Sequence, residues 1–188
     1  ISEFNKTIDQ LYKNNYVLVN LNGLVKKGTD GKLTFTGVSL PEGKKPLILS
    51  QDDVSYYEYM DNSGFPSKLI VDKQNQIKNI YIDNKKETVG DYDMVPLIDS
   101  FIKKHPDFSY QGAKGTLALT GYNGVLGYRT SKSEYGDNEK TNKEIEAAKK
   151  VADQLKKDGW SFASHTWGHL NMTQASLADI QQDNERWQ

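Results

Sequence analysis

Hydrophobic and polar positions in the first part of the chain predict a helix that leads into a strand. Four apolar residues recur at helical spacing: Phe4, Ile8, Leu11 and Tyr12. Ser2 is the expected N-cap, and Asn14-Asn15 should end this helix before a strand over 16–19. A turn at 28–31 and a short strand over 33–36 follow.

The middle of the chain alternates short apolar runs with polar loops. A polar loop leads into a strand at 47–49, which ends shortly before Asp52 and Asp53. Two β-rich runs, at 69–71 and 77–82, flank a polar turn. We therefore predict a hairpin here and interpret it as an insertion.

A second amphipathic helix is predicted over 94–102. Its apolar face consists of Met94, Leu97, Ile98, Phe101 and Ile102. Two lysines and His105 follow near the C-terminal end of the helix dipole, and Pro106 stops the helix. The simplest interpretation of His105 is therefore a cation that caps this helix.

A strand over 117–120 is followed by a long loop and a third helix. The loop over 121–138 is rich in Gly, Tyr and Ser and is long enough to be functional. Thr141 and Glu144 match a capping box, and the helix they begin should end at Gly159. The apolar stripe of that helix is Ile145, Ala148, Val151, Ala152 and Leu155.

Two histidines four residues apart, His165 and His169, come directly after a predicted strand over 160–164. Gly168 and the preceding strand argue against a helix through this pair. Thr173 is then expected to cap a last helix. The apolar positions of that helix are Leu177, Ile180 and Trp187.

Apolar strands that alternate with amphipathic helices indicate an α/β fold, with either a sheet or a barrel. In such folds reactive groups gather at the carboxyl ends of the strands. Four candidate residues fall at such ends: Asp52, Asp53, His165 and His169. We expect the fold to bring them together despite their separation in sequence.

Composition limits the class of protein and the chemistry available. A hydrophobic share of 36% and an aromatic share of 11% are ordinary for a globular protein, and one domain is the default at 188 residues. The formal net charge of -1 offers no long-range attraction for nucleic acid or an anionic membrane. No apolar run approaches the ~18 residues of a membrane helix. Since the chain has no cysteine, any transition-metal site must use His with Asp or Glu.

The paired carboxylates and paired imidazoles together favour a metal site. Two His and one Asp can bind a catalytic divalent metal and leave positions open for water and substrate, while a second Asp takes a proton from that water. Each half also has a simpler explanation. Adjacent Asp residues in a loop are often a solvated turn or a helix cap, and the two His rings can be partly buried and bonded to backbone.

These motifs resemble those of the polysaccharide deacetylases of carbohydrate esterase family four, which remove acetyl groups from chitin, peptidoglycan and related glycans. The run His165-Thr166-Trp167-Gly168-His169 is close to the family's His-(Ser/Thr)-x-x-His motif, and Leu49-Ser50-Gln51-Asp52-Asp53 looks like a diverged Thr-Phe-Asp-Asp motif. The resemblance implies that Asp53, His165 and His169 hold a divalent metal, most often zinc, with cobalt or nickel as alternatives. It implies that Asp52 is the general base.

The resemblance also implies a fold and an activity. The expected fold is a partial or distorted (β/α) barrel of the deacetylase type with a hairpin insertion. The expected activity is the metal-dependent removal of acetyl groups from an N-acetylated polysaccharide, such as peptidoglycan, a chitin-like glycan or an exopolysaccharide. The expected location is extracellular or on the bacterial cell surface.

The resemblance covers mainly residues 45–188, so we divide the chain there. Residues 1–44 form an appended N-terminal helix and strand region, and 45–188 form the N-terminal part of a deacetylase-like catalytic domain. The family's later Arg and His motifs normally lie beyond the histidine pair, and few residues follow His169. We therefore expect weak or no turnover from these 188 residues.

A noncatalytic alternative also follows from the departures. Ser50-Gln51 stands where the family has Thr-Phe, and Val54 stands where it has Gly, which changes the groove wall and the substrate preference. The alternative is a glycan-binding or cell-wall scaffold protein with a decayed deacetylase fold.

Arg129 and a group of tyrosines complete the candidate residues. Arg129 follows a strand in the long loop, where it can contact a substrate hydroxyl or carboxylate, and a structural role has equal weight. Tyr56, Tyr57 and Tyr59 follow the Asp pair and can stack on sugar rings, although aromatics at this spacing more often pack a core or an interface. We do not assign these tyrosines to catalysis.

Overall fold

The computed structural model describes residues 1–187 and has a mixed α/β fold. Its helices are α1 (Ser2–Lys13), α2 (Met94–Lys104), α3 (Lys132–Tyr135), α4 (Glu139–Lys157) and α5 (Leu177–Trp187). Its strands are β1 (Tyr16–Leu18), β2 (Val25–Lys27), β3 (Leu33–Phe35), β4 (Lys45–Leu47), β5 (Ser50–Gln51), β6 (Lys68–Val71), β7 (Ile77–Asp83), β8 (Lys86–Gly90), β9 (Thr116–Leu119) and β10 (Ser161–Ser164).

The strands form four small sheets. A parallel sheet has the order β10-β9-β5, and a second parallel pair joins β1 to β4. Strands β2 and β3 form an antiparallel hairpin, and β6, β7 and β8 form an antiparallel sheet in that order. The α/β class is therefore confirmed, but the strands within residues 1–187 do not close into a barrel, so the barrel itself is not confirmed.

The apolar run predicted as one strand over 47–49 is divided between two sheets. Its first part continues β4 and pairs with β1, while the chain two residues later forms β5 and pairs with β9. Ile48 between them is exposed, and the Leu49 carbonyl accepts a hydrogen bond of 2.9 Å from the Thr116 N–H. The predicted single strand is therefore wrong in detail, although the Asp pair still follows a strand end.

The predicted hairpin is present as β6 and β7, and a third strand, β8, extends it. Strand β8 was not predicted because it is short and mostly polar and exposed. The fully buried Asn79 amide oxygen on β7 accepts hydrogen bonds from the Tyr92 and Asp93 N–H groups, and its amide nitrogen donates to the Asp93 carboxylate at 2.8 Å. The Tyr56 hydroxyl donates to the same carboxylate, and burial raises the pKa of both Tyr56 and Asp93. This network ties the insertion to the segment that follows the Asp pair.

Two predicted helix caps are replaced by neighbouring residues. Helix α1 begins after Ile1, so Ser2 lies inside it and makes no capping bond. Helix α4 is capped by Asn138, whose side-chain oxygen accepts from the Thr141 N–H at 3.0 Å. Thr141 therefore lies buried in the first turn instead of capping it. Several polar residues with capping ability occur in succession there, so composition alone does not select among them.

The cap of α5 also differs from the prediction at Thr173. The Ser176 hydroxyl accepts from the Asp179 N–H at 3.2 Å, and the Asp179 carboxylate accepts from the Ser176 N–H at 3.2 Å. This reciprocal pair is a capping box. Thr173 instead donates its hydroxyl to the Asn171 side chain in the preceding turn.

His105 lies at the C-cap of α2, as predicted. Its backbone N–H donates to the carbonyls of Phe101 and Ile102. Its imidazole packs between aromatic rings, with centroids 4.6 Å from those of Tyr12 and Phe101. The ring of His105 is therefore engaged in packing between α1 and α2.

One buried cluster extends through much of the chain. It includes Ile8, Leu18, Val54, Leu69, Ile98, Phe108, Leu117, Leu155 and Trp160. Residues 1–44 and 45–188 both contribute to it, and the division between these regions stays a prediction. Across residues 1–187, no helix has both the length and the apolar character needed to cross a membrane.

Candidate metal centre

The three parallel strands β5, β9 and β10 deliver polar side chains to one edge of their sheet. Asp52 and Asp53 follow β5, Thr120 follows β9, and His165 follows β10. The His165 N–H donates to the Leu119 carbonyl at 2.8 Å, which fixes where the last strand ends. Parallel strands place their carboxyl ends at a common edge, so residues distant in sequence meet there.

Asp53, His165 and His169 form a compact cluster. Each offers one ligand atom, and these atoms all lie within 4.8 Å of one another. The His169 Nε2 lies 3.7 Å from Asp53 Oδ2, and the His165 Nε2 lies 4.0 Å from Asp53 Oδ1. The imidazole centroids are 4.9 Å apart. The fold thus brings together the three residues predicted to ligate a metal, and the ligand role itself stays a prediction.

Asp53 is oriented by two hydroxyl groups that share one of its oxygens. The Tyr57 hydroxyl donates to Oδ1 at 2.5 Å, and the Thr120 hydroxyl donates to the same atom at 2.8 Å. Burial raises the pKa of the Asp53 carboxyl, whereas these two hydrogen bonds and the nearby imidazoles lower it. The lowering outweighs the effect of burial, so the pKa lies below its ordinary value. Asp53 is therefore held in the ionised form that a cation requires.

The histidines lie on a tight irregular loop, as the sequence predicts, because their segment is not helical. Thr166 and His169 have φ values of 69° and 55°, in the left-handed region that a β-branched residue such as Thr rarely adopts. The Thr166 hydroxyl accepts from the Leu170 N–H at 3.0 Å, which supports this conformation. Such uncommon backbone conformations persist where surrounding contacts hold them, and they concentrate at functional sites.

A carboxylate on α5 fixes the same loop. Asp183 is buried and accepts hydrogen bonds from the Trp167 N–H at 2.7 Å and the Gly168 N–H at 2.6 Å. A Cβ at position 168 would lie 3.0 Å from Asp183 Oδ1, so a larger residue here would have to displace this carboxylate slightly. Helix α5 thereby positions the backbone between the two imidazoles.

Asp52 lies beside the cluster and is the more exposed of the two carboxylates. Its Oδ2 is 3.9 Å from His165 Nε2, and 72% of its side chain is accessible to solvent. No hydroxyl or amide is bonded to its side chain within the described residues. This position suits a group that exchanges protons with water, and its role as general base stays a prediction.

Arg129 is engaged with the backbone that surrounds the site. Its Nη1 donates to the Asn123 carbonyl and its Nη2 to the Tyr56 carbonyl, both at 2.8 Å, and its Nε lies 3.4 Å from the Glu58 carboxylate. These bonds join the loop after β9 to the segment after Asp53. The predicted contact with substrate is untested, and the observed contacts are those of a structural clamp.

Sequence reasoning missed Thr120 and Asp183. A single Thr at the end of a strand carries no distinctive signal. Asp183 did carry one, since it lies between Ile180 and Trp187 on the inward side of the last helix, where a lone carboxylate needs a partner. The ring of Tyr57 is a candidate for sugar stacking from the sequence, but the hydrogen bond of its hydroxyl to Asp53 has no signal there.

The donor set fits a transition-metal ion. Two imidazole nitrogens and one ionised carboxylate oxygen are ligands that zinc, cobalt and nickel accept, and three protein ligands leave positions open for water and substrate. Because His169 and Asp52 are exposed, solvent reaches the cluster directly. A groove of about 670 Å³ elsewhere, between β6 and α4, contains none of these residues. Its size does not make it the chemical site, since it lacks ligating groups in a cluster.

A comparison with protein-family models gives a match to part of the chain. The family model described as polysaccharide deacetylase matches residues 129–188. The match confirms the resemblance to the polysaccharide deacetylases. We call the matched residues 129–188 the deacetylase segment, after the family model that they match. It contains Arg129, both histidines of the cluster and Asp183, and it covers less than half of the chain.

Asp52 and Asp53 lie outside the deacetylase segment, so their connection with it depends on the geometry of the cluster. Neither the curated proteins nor the solved structures include a significant match to this chain.

Proposed function

We propose that this protein is a metal-dependent hydrolase that removes acetyl groups from an N-acetylated polysaccharide. The observation that carries the proposal is the convergence of Asp53, His165 and His169 within 4.8 Å at one sheet edge, in a chain with a deacetylase segment. A deacetylase of this kind acts on a neutral or weakly charged glycan, which agrees with the net charge of -1.

In this proposal Asp53, His165 and His169 hold the cation, most often zinc, with cobalt or nickel as alternatives. When bound, the cation supplies Lewis-acid polarisation of the acetyl carbonyl and lowers the pKa of a water molecule. Tyr57 and Thr120 keep Asp53 ionised and fixed, and Asp183 keeps the backbone between the imidazoles fixed. The protein's part is thus to orient its ligands before the substrate arrives.

Asp52 accepts the proton of the water that attacks the acetyl carbon, and this proton then passes to the sugar nitrogen as the C–N bond breaks and acetate is released. Its carboxylate is exposed and lies 3.9 Å from His165 Nε2, close enough to the cluster to reach a water held there. Protonation at a carboxylate oxygen of Asp52 leaves Asp53 free to keep its ionised form. The two adjacent carboxylates therefore divide binding and proton transfer between them.

The openness of the site suits a polymeric substrate. His169 and Asp52 are exposed, so a sugar in the middle of a chain can reach the cluster without entering a deep cavity. We also propose that the protein acts outside the cell or at the cell surface, where N-acetylated envelope glycans lie. The parallel sheet β10-β9-β5 would correspond to part of a deacetylase-type barrel.

Metal titration tests whether Asp53, His165 and His169 hold a cation. Titration of the metal-free protein with zinc, cobalt and nickel should give about one site per chain, and His165→Ala should weaken the affinity by a large factor because one ligand is lost. His105→Ala is the matched control, since that ring packs against Tyr12 and Phe101. Equal affinities in the two variants would contradict the assignment.

Measurement of acetate release tests the deacetylase activity and the role of Asp52 as general base. N-acetylglucosamine oligomers and peptidoglycan fragments are incubated with the metal-loaded protein and with Asp52→Asn. Acetate release that falls at least a hundredfold in Asp52→Asn, with metal affinity retained, supports the general base. Because weak or no turnover is expected from these 188 residues, the same assay is run on a longer chain that carries the later Arg and His motifs. Metal binding without acetate release from any of these glycans in that longer chain would instead favour the noncatalytic glycan-binding alternative.

A further inference from the structure

Four aromatic rings form a row beside the cluster of candidate metal ligands. Tyr59 stacks on Tyr57 with centroids 5.3 Å apart and an interplanar angle of 11°. Tyr57 stacks on Tyr122 at 5.2 Å and 22°, and Tyr122 meets Trp167 edge to face at 6.3 Å. We call these four rings the aromatic arc. It begins in the segment after Asp53 and ends between the two histidines.

The arc meets the cluster at its second ring, Tyr57, and at its last ring, Trp167. The Tyr57 hydroxyl donates to Asp53, so a single ring separates Asp53 from the ring of Tyr59. Trp167 lies between His165 and His169 in the loop that Asp183 fixes. A ligand on the outer ring, Tyr59, is therefore separated from Asp53 by one ring.

The rings differ sharply in exposure, and this difference distinguishes a ring that packs in the interior from one that can bind a ligand. Tyr57 is only 5% exposed and serves as an internal support, whereas Tyr59 is 72% exposed. Tyr56, in contrast, is bonded to Asp93 and belongs to the buried network. Only Tyr59 among these three presents an aromatic face that the fold does not use.

The segment that carries Tyr59 is held in place. The Glu58 N–H donates to the Asn123 side-chain oxygen at 3.2 Å, and Arg129 binds the Tyr56 carbonyl at 2.8 Å. A ring fixed by stacking and by these bonds loses little conformational freedom when a ligand binds. Glu58 precedes Tyr59 in sequence, and its carboxylate, 3.4 Å from the Arg129 Nε, is half exposed and can still accept a hydrogen bond from a sugar hydroxyl.

We propose that Tyr59, supported by Tyr57, is a binding subsite for a pyranose ring of the glycan, next to the sugar whose acetyl group reaches the metal cluster. A pyranose has an apolar C–H face that stacks on an aromatic ring and a rim of hydroxyls that need hydrogen-bond partners. The Tyr59 face and the Glu58 carboxylate match these two features. This inference rests on the proposed function, because that function places a glycan at the cluster.

The test measures glycan binding without turnover. The dissociation constants of the N-acetylglucosamine tetramer and of the single sugar are measured on the metal-free full chain. Tyr59→Ala should weaken tetramer binding by about tenfold, since a ring stack contributes on that scale, and should leave binding of the single sugar unchanged. Tyr59→Phe should retain tetramer binding because the aromatic face remains.

Phe35→Ala is the matched control, because Phe35 is 75% exposed on the β2–β3 hairpin and is not part of the arc. Tetramer affinity that is unchanged in Tyr59→Ala, or reduced equally in Phe35→Ala, overturns the subsite. Absence of acetate release from a longer chain that carries the later Arg and His motifs overturns the proposed function alone, since a Tyr59-dependent tetramer affinity in metal-free protein still supports the subsite.

Discussion

Asp53 is the residue on which the candidate site depends most. It contacts hydroxyls from two different segments and lies against both imidazoles. Tyr57 is four residues away in sequence, whereas Thr120 comes from the end of another strand. The orientation of Asp53 is therefore set by the packing of β5 against β9 as well as by its own loop.

Loss of the Thr120 hydroxyl should weaken metal binding. Thr120→Val keeps the shape of this fully buried side chain but removes one of the two donors to Asp53. Partners of metal ligands typically change the affinity by about 10- to 100-fold, so we expect zinc affinity to fall within that range. Isothermal titration would measure it, with Thr116→Val, at the start of the strand that Thr120 follows, as control. A larger loss in the control would contradict this role of Thr120.

The lowered pKa of Asp53 gives a pH dependence with a definite sign. Because its folded pKa lies below the unfolded value of about 3.9, ionised Asp53 adds to the free energy of unfolding above that pH, and this contribution is lost as the pH falls through the folded pKa. Tyr57→Phe removes one cause of the lowering. We expect the stability difference between this variant and the wild type to be largest near neutral pH and to shrink below about pH 4.

Urea unfolding of the metal-free protein at several pH values would measure this difference. A constant difference between Tyr57→Phe and the wild type from pH 7 to pH 3 would show that the hydroxyl contributes by packing alone.

At the scale of elements, α5 and the histidine loop form one unit. The Asp183 carboxylate accepts two backbone hydrogen bonds from that loop, and the Arg186 guanidinium lies 4.7 Å from the centroid of the Trp167 ring. A buried carboxylate with two short hydrogen bonds is a strong tether. Displacement of α5 would therefore shift the imidazoles.

Asp183→Asn tests this coupling. The amide can accept from one loop N–H but places its own NH₂ against the other, so we expect a loss of about 2 kcal/mol in stability and weaker zinc binding. Glu185→Gln, on the exposed face of the same helix, is the control. Chemical denaturation and zinc titration would measure the two effects. Loss of stability with unchanged zinc affinity would mean that α5 does not position the histidines.

Elements with a clear hydrophobic period were predictable from the sequence, and those defined by pairing were not. The helix expected over 94–102 and the strands expected over 117–120 and 160–164 are present within about two residues. The helix that ends before Gly159 is also present, with its N-cap at Asn138 instead of Thr141. Strand β8 and the division at Ile48 depend on which strand lies alongside, which no local pattern encodes. The caps failed for a related reason, because several polar residues compete at each helix start.

The candidate site also has a part that the sequence predicts and a part that it does not. Asp52, Asp53, His165 and His169 were predicted because they form short motifs after strands, and the fold brings them together. Thr120 and Asp183 could not be paired with them from sequence, since those contacts join β9 and α5 to loops far away along the chain. The motifs therefore predict the candidate ligands, whereas the contacts that orient these ligands come from the tertiary structure.

On the scale of the whole molecule, residues before and after position 44 share one core. Leu18 is fully buried in the same cluster as Leu117 and Trp160. Strand β1, which carries Leu18, pairs with β4 directly before the chain enters the site. We therefore expect the N-terminal region to unfold together with the rest.

Leu18→Ala tests this expectation. Removal of a fully buried leucine side chain should cost about 3 kcal/mol and lower the midpoint of a single unfolding transition. Trp fluorescence reports on residues after position 44, and circular dichroism reports on the entire chain, so coincident transitions would confirm the coupling. A variant in which fluorescence keeps the wild-type midpoint would show that residues 1–44 unfold separately.

The two hydroxyls on Oδ1 of Asp53 have a consequence for discrimination among ions. With that atom occupied, the carboxylate offers mainly Oδ2, so the pocket supplies one oxygen and two nitrogens. Calcium takes six to eight oxygen ligands and magnesium demands an octahedron rich in oxygen, and neither finds that here. We therefore expect the hydroxyl pair to weaken the binding of the abundant hard cations relative to scarcer and softer ones, such as zinc.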